Sequence, residues 1–280
     1  MVKFLLATYG LQVNVFVHYG RGGGLLFVAA SKGISEMVSL LLAHGADPNQ
    51  FACQRGIAPL TEAVIRGHGD AVELLVHGTT NLHRTRALTC AVEQKNKRLA
   101  EILLRNGAPP QFCTSEIPTY FRNEPYEWVQ PLLLAARSGH LELAELLCEY
   151  GADVNVQCSE YLGKAHCLGA SIKAIPFDRV LFWVVEEPNE KMVDLLLERG
   201  ADPNVGDSRD RPPLMYAMDN GSEAIVRSLL DHGADMRRTV DHCGRKKVSP
   251  REQREAESAE LQAMFAGWSY GNRNADGSPD

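Results

Sequence analysis

The chain has 280 residues, of which 45% are hydrophobic and 23% charged, with a formal net charge of −6. These proportions argue against a disordered polymer, and the acidic balance argues against a nucleic-acid scaffold, which carries a basic excess. Seven irregularly spaced cysteines argue against an extracellular disulfide framework and point to reduced thiols in the cytoplasm or nucleus; no run approaches the roughly 18 apolar residues of a membrane span, so no membrane insertion is expected.

The opening MVKFLLATYGLQVNVFV places Lys3 ahead of an apolar run, as a signal peptide does. Tyr9, Gly10, Gln12 and Asn14 interrupt that run, however, and no small-residue cleavage site follows. The segment reads instead as the second half of a unit that recurs downstream, as if the chain began part-way through a longer array. GRGGG, Gly20 to Gly24, lacks the lysine and hydroxyl of a phosphate loop and reads as a hairpin into the next element.

From there one pattern repeats. LLLAHGADPN ends at Asn49, LLCEYGADVN at Asn155, LLLERGADPN at Asn204 and LLDHGAD at Asp235, with weaker echoes ending at Gly78 and Pro110. The marker glycines Gly10, Gly45, Gly78, Gly107, Gly151, Gly200 and Gly233 lie 35, 33, 29, 44, 49 and 33 residues apart. Twelve residues before four of them stands a second marker: Gly33, Lys95, Gly139 or Gly221. Between markers the apolar residues fall at helical spacing, as Leu141, Ala144, Leu147 and Cys148 do. A shorter apolar helix precedes, opened by proline in PLLLAARSG and PLMYAMDNG and closed by glycine. Each unit is thus a short helix, a tight turn, a longer helix, a glycine stop and an extended Asp/Asn turn. Two such helices bury their apolar faces only by stacking on neighbouring units, which predicts an all-α solenoid.

The period, the Gly-Ala-Asp-x-Asn turns and the leucine runs resemble the ankyrin-repeat family over roughly residues 2–236. Six full units are expected, at about 25–45, 59–78, 87–107, 131–151, 180–200 and 213–233, within an array spanning 25–236; residues 1–24 are the partial unit and hairpin. The family's Thr-Pro-Leu-His motif is intact nowhere. Phe27, Thr61, Thr89, Leu133, Phe182 and Met215 take the histidine position, so the family's side-chain link between neighbouring turns is not expected here. Pro188 replaces the inter-helix glycine of the fifth unit, and the second unit's long helix is one residue short.

Two connections are too long for simple turns. Residues 110–130 carry Phe112, Tyr120, Phe121, Tyr126 and Trp128, and residues 157–178 form a second insertion. Insertions in arrays tend to collect on the binding face. Residues 237–268 form a capping region. Within it, Ser249, Pro250 and Glu252 start a helix whose Leu261, Met264, Phe265 and Trp268 form one apolar stripe. Residues 269–280 read as a disordered tail.

No catalytic, cofactor-binding or metal residue is assigned, and none of the patterns points to an enzyme. Cys158, His166 and Cys167, with Cys113 as a conceivable fourth ligand, lack the paired spacing of a zinc site and read as bystanders. His68 and His140 follow inter-helix glycines and read as turn residues. GRKKVSPR, Gly244 to Arg251, is either a basic patch or a solvated approach to the capping helix.

Ankyrin-like arrays bind proteins on hairpin tips and on the exposed side of the first helices. Carried onto this chain, the resemblance implies one row of Val28, Glu62, Cys90, Leu134, Trp183 and Tyr216. A second row changes sign from Lys32 and Arg66 to Glu186, Glu187 and Asp219, so a partner of reverse gradient would be steered into one register. Trp183 and Tyr216 read either as an aromatic anchor or as packing between repeats; Tyr126 and Trp128 are the better anchor candidates. The expected function is a non-enzymatic scaffold or adaptor for another protein. The alternatives are a recognition arm of a larger assembly such as a ubiquitin ligase, or a zinc- or cysteine-dependent enzyme using residues 157–178.

Overall fold

The computed structural model describes residues 13–14, 16–17, 23–50, 57–112, 129–156, 179–186, 189–207 and 210–241. The helix of the N-terminal half-unit, residues 113–128 of the first insertion, all of the second insertion, the helix expected after Ser249, and the tail lie outside the described residues. The chain divides into two compact units, residues 1–153 with 158–174, and residues 154–157 with 175–280.

The first unit opens with a short antiparallel pair, β1 (Phe16–Val17) and β2 (Gly23–Gly24), in which Phe16 faces Gly24. Four helix pairs follow: α1 (Leu25–Lys32) and α2 (Ser35–Ala43), α3 (Pro59–Ile65) and α4 (Gly69–Val76), α5 (Asn81–Glu93) and α6 (Lys97–Arg105), α7 (Pro131–Arg137) and α8 (Leu141–Glu149). The inner helices α1, α3, α5 and α7 pack in file, and the outer helices α2, α4, α6 and α8 form a second file beside them. The second unit holds α9 (Val180–Glu186) with α10 (Glu190–Glu198), α11 (Pro213–Asp219) with α12 (Glu223–Asp231), and a short α13 (Arg237–Asp241). There too inner packs on inner and outer on outer.

The core is the apolar stripe of each helix. Leu60, Ala63 and Val64 of α3 are fully buried, as are Ala71, Val72, Leu75 and Val76 of α4. Small residues recur where helices approach closely, with Ala30, Ala87, Ala91 and Ala135 buried. At the family's histidine position the chain packs apolar bulk instead, since Phe27, Leu133 and Phe182 are all buried.

Each letter of Gly-Ala-Asp-x-Asn has a separate physical task. Gly45 has φ +84, a left-handed conformation that costs any residue with a Cβ. Its N–H donates to Leu42 O, and the next N–H, of Ala46, donates to Leu41 O at 3.0 Å, closing the helix while the Ala46 methyl is buried. Asp47 Oδ1 then accepts from Asn49 N–H at 2.9 Å, tightening the turn.

The asparagine reaches the following repeat. Asn49 Nδ2 donates to Gly78 O and its Oδ1 accepts from Thr80 N–H. Asn14 does the same with Gly45 O and Asp47 N–H. In the second unit Asn155 clasps Gly200 O and Asp202 N–H, and Asn204 clasps Gly233 O and Asp235 N–H. At these four boundaries the turn-to-turn linkage comes from an asparagine side chain.

One register slip sets α5 apart. The expected start near residue 87 moves to Asn81, because no extended tip separates the second and third pairs and the chain passes from Gly78 almost directly into helix. Leu82 takes the asparagine's place in the spacing, and Arg84 Nη1, donating to Asn106 O at 3.1 Å, supplies a link instead. Further on, Phe112 N–H donates to Gln130 Oε1 at 3.0 Å while Gln130 Nε2 donates to Phe112 O at 3.4 Å, with both residues buried. This clasp joins the two described ends of the chain on either side of residues 113–128.

Candidate functional site

Packing leaves only certain inner-helix positions open. On α1, Leu26, Phe27, Ala29 and Ala30 face the core, whereas Val28 is 46% exposed and Lys32 is exposed as well. On α3, flanked on both sides, residues 59–64 are all buried, and exposure begins at Ile65, 38%, and Arg66. The next helix ends in exposed Glu93 and Gln94, and α7 in half-buried Arg137 and exposed Ser138.

At the centre of this surface lies a buried carboxylate. Glu62 is 2% exposed; its Oε1 accepts from Ser31 Oγ at 3.1 Å and from Arg66 Nε at 3.0 Å. A charge removed from water in this way requires such partners. Around it the helix ends are tied from one repeat to the next. His68 Nε2 lies 3.2 Å from Ser31 O, and Gln94 Nε2 donates to Ile65 O at 3.0 Å.

At the inter-helix turns of the first three pairs a groove of about 310 Å³ is lined by Gly33, Ser35, His68, Gly69, Arg98 and Leu99, among others. In the α5 extension, His83 is buried. Burial, and then the nearby Arg86 charge, lower its pKa to about 4, with Asp47 pulling weakly the other way. His83, Thr85 and Arg86 are all buried in this extension, although NLHRTR carries no apolar period that would mark it as helix.

In the second unit, α9 buries Val180 through Val185, leaving Trp183 only 8% exposed and Glu186 exposed. Of the two readings open for Trp183, its burial favours packing. Asn220 Nδ2 donates to the carbonyls of Val185 and Glu186. Tyr216 is half-buried and engaged: its hydroxyl donates to Asp207 Oδ2 at 2.6 Å, its ring meets Phe182 edge-on at 5.8 Å, and the Arg211 guanidinium lies over it at 4.6 Å. Burial, then the Asp207 hydrogen bond, holds the Tyr216 phenol above its usual pKa. The Asp207 side chain is fully enclosed and also accepts from Arg211 Nε and Nη2. Tyr216 thereby anchors Asp207 and Arg211 to α11. Tyr126, Trp128 and Glu187 lie outside the described residues. Among the described residues no helix is long and apolar enough to cross a membrane.

The family described as ankyrin repeats (3 copies) matches residues 1–86, 25–114, 80–158 and 169–240. The chain belongs to the ankyrin-repeat family, and its array is a protein-interaction domain. A probable E3 ubiquitin-protein ligase of Oryza sativa subsp. japonica is 29% identical over 174 residues, 53% of this chain and 35% of that protein. An L-asparaginase of Dirofilaria immitis is 29% identical over 233 residues, 81% of this chain and again 35% of that protein. The chain thus spans about a third of either relative. The crystal structure of the Bcl-3 ankyrin repeat domain superposes with a TM-score of 0.56 at 24% identity, over 75% of this chain and 86% of that one, which speaks to the fold.

Proposed function

We propose that the chain is a non-enzymatic scaffold or adaptor, acting in the cytoplasm or nucleus, that binds another protein on the open side of its inner helices. The observation that carries this reading is the surface of α1 and α3. Val28 and Ile65 keep large aliphatic area in water beside Lys32 and Arg66, at positions that stacking of the repeats does not consume. In the second unit the corresponding candidates are Glu186 and Tyr216; Glu187, Tyr126 and Trp128 remain candidates on sequence alone. Trp183 serves this surface by supporting it from beneath.

A photoreactive side chain at position 28 or 65 is expected to capture a protein adduct in cells. The same group at Glu73, exposed on outer helix α4, is expected to capture none. Equal capture from both faces, or none from the inner one, would overturn the reading.

A second reading, the recognition arm of a ubiquitin-ligase assembly, is favoured by the similarity to the rice ligase. It predicts that proteins crosslinked from position 28 turn over more slowly when the chain is depleted. The asparaginase similarity offers an enzymatic alternative. Ammonia release from asparagine above background would support it against the scaffold.

A further inference from the structure

Resting on the docking reading above, we propose that Arg66 and Lys32 form a carboxylate-recognition site for an acidic, aliphatic segment of a partner protein. Arg66 is an oriented cation. Its Nε is committed to Glu62 Oε1, and Glu62 is itself held by Ser31 Oγ. The arginine side chain nevertheless keeps 44% of its surface, and its two Nη groups make no hydrogen bond among the described residues. A guanidinium whose plane is already set loses less rotamer freedom on binding. Its paired N–H groups suit the two oxygens of a carboxylate.

Lys32 takes the matching place on α1, exposed and without an ion pair among the described residues. Glu62 offsets one of the two positive charges and Lys32 leaves the surface with a net cation. The basic stretch stops at α5, where the same row becomes Glu93 and Gln94. Acidic partner residues therefore fall on the first two pairs, and a basic segment would meet like charge there. Val28 and Ile65 border the two cations and add aliphatic contact that a phosphate backbone could not use. This favours an acidic peptide over a nucleic acid.

The test is fluorescence anisotropy with the full chain. The probes are short labelled peptides repeating Glu-Leu-Glu-Val, their Gln and Lys counterparts, and a labelled oligothymidine. The Glu peptide is expected to bind at least about tenfold more tightly than the Gln peptide, weakening as salt rises. Arg66→Lys keeps the charge but loses the fork, and is expected to cost about fivefold. Lys32→Gln, at an exposed unpaired position, leaves the fold intact and is expected to cost about threefold. Tighter binding of the Lys peptide or the oligonucleotide, no binding of the Glu peptide, or indifference to both substitutions would each overturn the proposal. If that happened while adducts still formed from position 28, the acidic partner would be wrong and the docking face right; loss of the adducts as well would remove both.

Discussion

Asn49 and Gly78 are joined across a repeat boundary: the amide nitrogen of one donates to the carbonyl of the other at 3.1 Å. The Asn49 oxygen accepts from Thr80 N–H at 2.9 Å, so one side chain satisfies both a donor and an acceptor of the next turn. Asn49→Ala is expected to lower stability by about 1 kcal/mol, the net worth of such hydrogen bonds where water competes. Urea denaturation of the variant checks it. An unchanged midpoint would show the clasp to be idle.

Gly33 and Gly67 separate two reasons for glycine. Both have positive φ, +66 and +76. A Cβ at Gly67 meets nothing within 4 Å, whereas one at Gly33 would stand 2.5 Å from His68 Nδ1 and 2.6 Å from Cγ. Gly67→Ala is expected to cost about 1 kcal/mol from backbone strain alone. Gly33→Ala is expected to cost roughly 1–3 kcal/mol more, because the imidazole must leave Ser31 O. Equal losses in thermal unfolding would contradict the contact.

Lys95 occupies the same left-handed turn at φ +60 without being glycine. Lys95→Gly should therefore stabilise the chain by about 1 kcal/mol, which calorimetry would show as a higher Tm. A lower Tm would mean that the lysine side chain contributes more than the strain removes.

His83 makes stability depend on pH. Its folded pKa is lowered to about 4, while in the unfolded chain it titrates near 6.5. Below 6.5 the unfolded state binds the extra proton and the folded state does not. This contribution is intact above pH 6.5 and is lost as pH falls from there toward 4. The loss is at most roughly 3–4 kcal/mol, the worth of a fall from 6.5 to about 4. A His83→Gln variant is expected to show a flatter decline over that window; an identical slope would argue that other groups dominate.

The stacked helices were legible because periodicity and glycine stops are local signals, and the eight-residue α4 beside nine-residue outer helices was visible in the spacing. The clasps were not, because Asn49 reads as a turn former while its partners sit 29 and 31 residues away. The buried role of Glu62 depends on Ser31, likewise 31 residues off in sequence. Trp183 did carry a signal: VLFWVV has no polar side, and a helix apolar all round is an enclosed one. The early start of α5 was hidden by polar letters whose burial follows only from the missing tip.

The clasp between Phe112 and Gln130 gives the array a graft point. Phe112 and Gln130 hold each other, so a segment of any length placed between them has its loop closure already made by described residues of α6's and α7's flanks. A foreign loop grafted between these two residues would start and finish at ends the array already holds together.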